Sequence, residues 1–415
     1  MKRTQILRLS PWAGALIVAV TAGIAAPACT TTENELLPKD DSVDTGSGRN
    51  SYGESAGGGV PANEDDELFA PSDVLDSRTI DYGAALRVAS LKLNGTVPTL
   101  ERIKAFEAAA DKKAFYEGEI ARMIADPRFA ASMMRFWQNT FKSGGEGQDA
   151  LSLDTAAAFA AMTVVQDKPY TDLFTATTGT CPTFDAATNT FTAGSCTSSG
   201  PTVGVLTDPG LMAQYYAPMA FRRVRFVNEA FVCSKLPVEY SQAAAPFGAG
   251  IYTGPYPIES ITGLQNKPDA RVDFHDAKST VCVNCHVTLN HAAGLFANFD
   301  EKGAYDPTEI QVLLPDNATA ALDDWLPAGE SYAWRFGKPV TDLAGYGQAM
   351  AQDPDVARCG VTRAWNFAFS RGNVVDDASP VPRTVSDPLL AAFQNGFKMK
   401  PLLQAIFTSD DFVKF

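Results

Sequence analysis

The sequence predicts a mainly α-helical protein made of several helical modules with long loops. Three observations point there. From about residue 81 apolar side chains recur at three- and four-residue spacing. The runs open on Asp, Thr or Pro and close on Gly. No run of short strands alternates with helices, and no short-period repeat recurs, so neither a parallel sheet nor a solenoid is expected.

The elements follow in sequence order. "DYGAALRVASLKLNG" is helical from Asp81 and stops at Asn94-Gly95. "TLERIKAFEAAA" starts at a Thr99 cap, and "DKKAFYEGEIARMIA" starts at Asp111. "DPRFAASMMRFWQNTF" should open with Asp126 as cap and Pro127 at the first helical position. Its Phe129, Met133, Phe136, Trp137 and Phe141 share one stripe, which reads as core. A second helical region follows "DKPYTDLFTA", and between the two lies the Thr/Gly-rich excursion "TCPTFDAATNTFTAGSC". In an exported protein its Cys181 and Cys196 most simply pair across a small hairpin, contributing about 3 kcal/mol by loop closure. "DPGLMAQYYAPMAFRRVRFVNEAFVCSKLP" reads as a long helix-like run carrying Cys233, and a Pro/Gly/Tyr-rich loop covers roughly 237–270. The C-terminal stretches are helical, with acidic caps expected at Asp342, Asp353 and Asp387.

The first 28 residues read as an export signal. Lys2, Arg3 and Arg8 precede "AGALIVAVTAGIAA", which is too short to span a bilayer comfortably, and "APAC" supplies small residues for cleavage. Cys29 is then placed for lipidation, with plain secretion and a free or paired Cys29 as the alternative. By resemblance to lipoprotein sorting signals, the non-acidic Thr30 implies the outer membrane of a Gram-negative envelope, with the periplasm as the alternative location. Residues 29–74 form a polar tether that cannot bury enough surface to fold. The "GESAG" inside it mimics a hydrolase nucleophile elbow but lacks the flanking strand and helix. The remaining sequence divides into a helical module at 75–236, a loop-rich module at 237–335 and a C-terminal helical module at 336–415.

A net charge of −14 argues against nucleic acid or anionic lipid headgroups as partners, so the membrane is met through the lipid anchor only. Locally, Arg222, Arg223 and Arg225 make a basic patch that could meet a small anion. Paired-carboxylate, H-E-x-x-H, phosphate-loop and Ser/His/Asp signatures are all missing, and three histidines leave hydrolysis little to build on.

The informative stretch is "STVCVNCHVTLNH", residues 279–291. In an exported protein, the motif C-x-x-C-H signals covalent haem c. Cys282 and Cys285 would form the thioethers, and His286 would be the proximal iron ligand. The rivals are a redox dithiol, which lacks its βαβ context, a zinc site completed by His275 or His291, and an ordinary disulfide.

The segment "HDAKSTVCVNCHVTLNHAAGLFANFDEKGAYD" resembles the C-x-x-C-H block of planctomycete-type cytochrome-associated exported proteins, which also occur in myxobacteria. "LNGTVPTLERIKAF", "MIADPRFAASMMRFWQNTF", "VLTDPGLMAQYYAPMAFRRVRFVNEAFVC" and "DVARCGVTRAWNFAFSRG" are similar to other stretches of that family, so most of 85–415 is covered. This protein departs from the pattern at Asn290-His291, at Arg223-Val224 and at Ala297. The resemblance implies His275 as the distal iron ligand. Met350 is the alternative, by analogy with downstream methionines of cytochromes c, although core packing also accounts for it. It further implies that Cys233 and Cys359, each expected on a helix, pair and staple the middle module to the last.

Three functions are consistent with these readings. The first is a lipid-anchored envelope haem c protein passing electrons to or from an unnamed redox partner. The second is a non-catalytic binding or scaffold lipoprotein that uses the Cys/His cluster as a disulfide or zinc clip. The third is a haem oxidoreductase with an open iron, the one reading that would make the protein an enzyme.

Overall fold

The computed structural model describes residues 77–196, 200–217, 220–235, 280–308, 311–313, 319–321 and 331–415. For 280–287, 311–313, 319–321 and 336 it describes the backbone alone. All of these residues fall in one compact unit, Arg49–Phe415. The export signal, Cys29, the tether, the loop at 237–270 and His275 lie outside the described residues.

The protein is mainly helical. It enters through α1 (Tyr82–Asn94), whose first amides bond to the Asp81 carboxylate and whose end is turned by Gly95 at φ 70°. Then come α2 (Leu100–Ala108) behind the Thr99 cap and α3 (Lys112–Ala125) behind the Asp111 cap. In α4 (Arg128–Phe141) the stripe of Phe129, Met133, Phe136, Trp137 and Phe141 is buried, as the periodicity requires. This helix starts one residue later than expected. Asp126 still receives the Arg128 amide at 2.9 Å, while Pro127 stands at the flank.

α5 (Thr155–Val165) packs along α4 and is buried almost all round. The one-turn α6 (Asp172–Thr175) leads to the hairpin of β1 (Thr183–Asp185) and β2 (Thr190–Thr192), antiparallel with Phe184 opposite Phe191. The Cys181–Cys196 disulfide closes that hairpin.

The long run at 208–233 is broken into α7 (Pro209–Gln214), capped by Asp208, and α8 (Phe221–Phe231). Ala220 enters α8 at φ 52°, and Cys233 lies just past its end at φ 56°. Cys233 is therefore not helical, contrary to expectation. Pro218, in the interval between α7 and α8, lacks the amide a continuous helix would need.

α9 (Thr280–Phe296) carries the C-x-x-C-H motif and lies against α8. Short ribbons follow: β3 (Gln311–Leu313) with β4 (Thr319–Ala321), and β5 (Ala333–Trp334) with β6 (Lys338–Pro339). α10 (Leu343–Ala351) and α11 (Pro354–Phe369) open on Asp342 and Asp353 as expected. Beyond α11, β7 (Asn373–Val374) pairs with β8 (Asp377–Ala378). The fold ends with α12 (Arg383–Phe393), α13 (Met399–Phe407) and α14 (Asp410–Val413).

Asp387 is not a cap. α12 starts upstream, where the Val385 and Ser386 amides bond to Pro382 O, and Asp387 instead pairs with Arg358 at 2.5 Å. Pro388 lies inside this helix, past its first turn, and so has no amide to donate to the Thr384 carbonyl.

One hydrophobic core runs from Ala85 to Val413. The C-terminal helices build it together with the first ones: α13 packs on α3, α14 on α1 and α11 on α1. Backbone bonds from Thr79 to Phe415 and from Asp81 to Val413 join the two ends of the described residues.

Candidate functional site

The motif lies at the start of α9. Thr280 opens the helix, so Cys282, Cys285 and His286 occupy its first two turns. At spacings of three and four residues they share one side of the helix. Their side chains lie outside the described residues, as does His275.

Past the motif, α9 becomes part of the core. Leu289, Ala292, Ala293 and Phe296 are buried, together with the polar Thr288, Asn290 and His291. At about 100° per residue, His291 is turned roughly 140° from His286. The helix therefore does not present His291 beside the motif, and its side chain is 3% exposed. Gly294 lets the Tyr332 hydroxyl approach so closely that a Cβ there would collide with it.

The C-terminal end of α9 is held by Arg223, which is 1% exposed. Its Nη1 donates to the carbonyls of Phe296 (2.8 Å) and Phe299 (2.6 Å). Nη2 donates to Met212 O at 2.6 Å and Asp300 O at 2.8 Å, and Nε donates to Met212 O at 3.0 Å. A cation at the helix end with unpaired carbonyls is also favoured by the helix dipole. Burial pulls Arg223 down to about 10, which still leaves it charged at neutral pH.

The expected basic patch is thereby dismantled. Arg223 is spent on carbonyls, Arg225 pairs with Glu229 at 2.8 Å, and Arg222 stacks over Tyr215 at 5.5 Å.

α8 is tied in turn to α11. Cys233 and Cys359 are disulfide-bonded, with α-carbons 5.4 Å apart. One turn on, the fully buried Arg363 donates from Nε to Ala230 O at 2.7 Å and from Nη2 to Glu229 O at 2.8 Å. Nη1 reaches Asn373 O at 3.0 Å. The last carbonyls of α8 thus receive the same kind of guanidinium clamp as those of α9. Neither arginine was singled out for this role from sequence, because nothing local distinguishes a clamping arginine from a solvated one.

Met350 is fully buried on α10. It shares a helix face with Tyr346, whose ring meets Phe296 at 5.8 Å. Phe296 lies about 15 Å along α9 from His286. That arrangement favours core packing as the role of Met350.

Among the described residues, one set of three metal-type side chains meets: Cys181, Cys196 and Asp208, with ligand atoms within 4.8 Å. The two sulfurs are bonded to each other and so offer no thiolate, the form in which cysteine ligates zinc. Asp208 is fully buried, and burial pushes it up to about 6.

Residues 68–192 match the family model described as PSCyt2, a protein of unknown function (DUF1549). The match spans α1 to the β1–β2 hairpin. It includes "LNGTVPTLERIKAF" and "MIADPRFAASMMRFWQNTF", and C-x-x-C-H lies beyond it. Its name agrees with the cytochrome-associated resemblance of those stretches. No curated protein and no solved structure matches the sequence.

Proposed function

We propose that this is an exported c-type haem protein, anchored in the cell envelope through Cys29, that passes electrons to or from an envelope partner. The observation that carries this reading is the position of C-x-x-C-H on the opening turns of a helix whose far half is built into the core. Two thiols three residues apart on one helix side, followed at once by imidazole, are the donor set that covalent haem attachment uses.

In this reading Cys282 and Cys285 hold the group and His286 ligates its iron. When bound, haem supplies a one-electron couple. The rest of the protein fixes the motif. Arg223 locks the end of α9, the apolar residues from Leu289 to Phe296 keep water from its inner face, and the Cys233–Cys359 bond steadies α8 behind it. The angle between His291 and His286 weighs against a zinc clip completed by His291.

The test is production of the protein with the cytochrome c maturation machinery, followed by acid–acetone extraction. Haem absorbance should stay with the protein. A colourless protein with full zinc occupancy would replace this reading with that of a structural clip.

A further inference from the structure

Away from α9, a cleft of about 500 Å³ opens where α1, α4 and the end of α11 meet. That volume is within the range of small-molecule pockets. Its charged lining is of one sign: Lys92 from α1, Arg135 from α4 and Arg371 from just beyond α11. Among the described residues no carboxylate lines the cleft. Among the described residues none of the three cations is ion-paired, although the protein has fourteen net negative charges.

Arg135 bonds to Ser132 Oγ at 3.1 Å, its one hydrogen-bond partner among the described residues, and the Lys92 ammonium stands 5.6 Å from the centre of the Phe367 ring. Lys92 is half-buried, and desolvation lowers its pKa with no counter-charge to raise it. Ser370 at φ 55° reverses the backbone so that the Arg371 amide bonds to Asn366 O at 2.9 Å, which fixes Arg371 at the rim.

A second, independent feature lies in the same cleft. Asn366 is completely buried, and its Nδ2 donates to Ser379 O at 2.8 Å, but its Oδ1 has no hydrogen-bond partner among the described residues. A buried acceptor left without a donor is destabilising, so a donor arriving there would bind favourably. The edge-to-face pair of Phe136 and Phe367, 5.2 Å between centroids, gives the cleft an apolar wall suited to a carbon skeleton.

We infer that this cleft binds a small hydroxylated organic anion. Its charged group would be held by Lys92, Arg135 and Arg371, and one hydroxyl would donate to Asn366 Oδ1. A carboxylate or a phosphate would meet the cations equally, and the choice of probes separates them.

The purified full-length protein should be titrated calorimetrically with D-gluconate, D-glucose 6-phosphate, D-glucose and inorganic phosphate. Gluconate or glucose 6-phosphate should bind with a dissociation constant below about 1 mM. Glucose, lacking the charge, and inorganic phosphate, lacking the hydroxylated skeleton, should bind at least tenfold more weakly. The double variant Arg135→Glu, Arg371→Glu should weaken the charged ligand at least tenfold. Both residues are exposed, so its melting temperature without ligand should stay close to that of the parent. Asn366→Leu, checked for an intact fold by circular dichroism, should weaken the hydroxylated anion but leave inorganic phosphate unchanged. The inference is overturned if neither organic anion binds, if glucose binds equally well, or if charge reversal leaves the affinity unaltered.

Discussion

The Arg223 guanidinium donates to the Phe296 carbonyl at 2.8 Å, and so a residue of α8 closes the end of the helix that carries C-x-x-C-H. Replacing it with Met would take the side-chain donor from the Met212 and Phe299 carbonyls and leave those of Phe296 and Asp300 with only their backbone partners, the Phe299 and Gly303 amides. Arg223→Met should cost about 3–5 kcal/mol. Arg223→Lys should recover only part of that, since one ammonium cannot span the same set of carbonyls. Urea unfolding gives the magnitude, and hydrogen exchange should quicken first in α9. A loss below about 1 kcal/mol would show that the clamp is incidental.

The two disulfides should differ in weight. Cys233–Cys359 spans 126 residues and Cys181–Cys196 spans 15. In the chain-entropy account these loops are worth about 5 and about 3 kcal/mol. Serine pairs at each site, compared by denaturant midpoint with the parent protein, should show the larger loss at Cys233 and Cys359. Equal losses would mean that local packing, not loop closure, sets the effect.

Helix starts and stripes were legible because they depend on neighbours in sequence. Asp81, Thr99, Asp111, Asp342 and Asp353 all cap as their spacing suggests. α5 escaped notice for a physical reason: from Ala156 to Val164 it is buried on every side, so it shows no amphipathic period. Asp387 misled because Asp-Pro resembles a helix start, while the first turn is built by Pro382 upstream. The Cys181–Cys196 bond and C-x-x-C-H were readable as cysteine patterns, while the Cys233–Cys359 bond was expected only from the family resemblance. The clamps of Arg223 and Arg363 were not, since their carbonyl partners on the neighbouring helices lie far away in sequence, the nearer ones being Met212 and the Asn373, Val374 and Val375 carbonyls.

Asp208 should make stability depend on pH in an identifiable direction. Its carboxyl titrates near 3.8 when unfolded and near 6 when buried in the folded protein. Between these values the folded state holds a proton that the unfolded state has released, so stability falls as pH rises through the window and levels off above it. A gap of that size corresponds to about 3 kcal/mol. Asp208→Asn keeps an acceptor for the Leu211 amide, now 2.9 Å from Oδ1, and carries no charge. It should stabilise the protein at pH 7 by about 1–3 kcal/mol and flatten the profile between pH 4 and 6. An Asn variant less stable than the parent at pH 7 would contradict this.

The most direct test of the central claim is the intact mass of the protein made with the cytochrome c maturation machinery, compared with that of the Cys282→Ser, Cys285→Ser variant. The account predicts one covalently added haem in the parent protein and none in the variant, with both proteins folded. A parent protein at the mass of the bare polypeptide would contradict it.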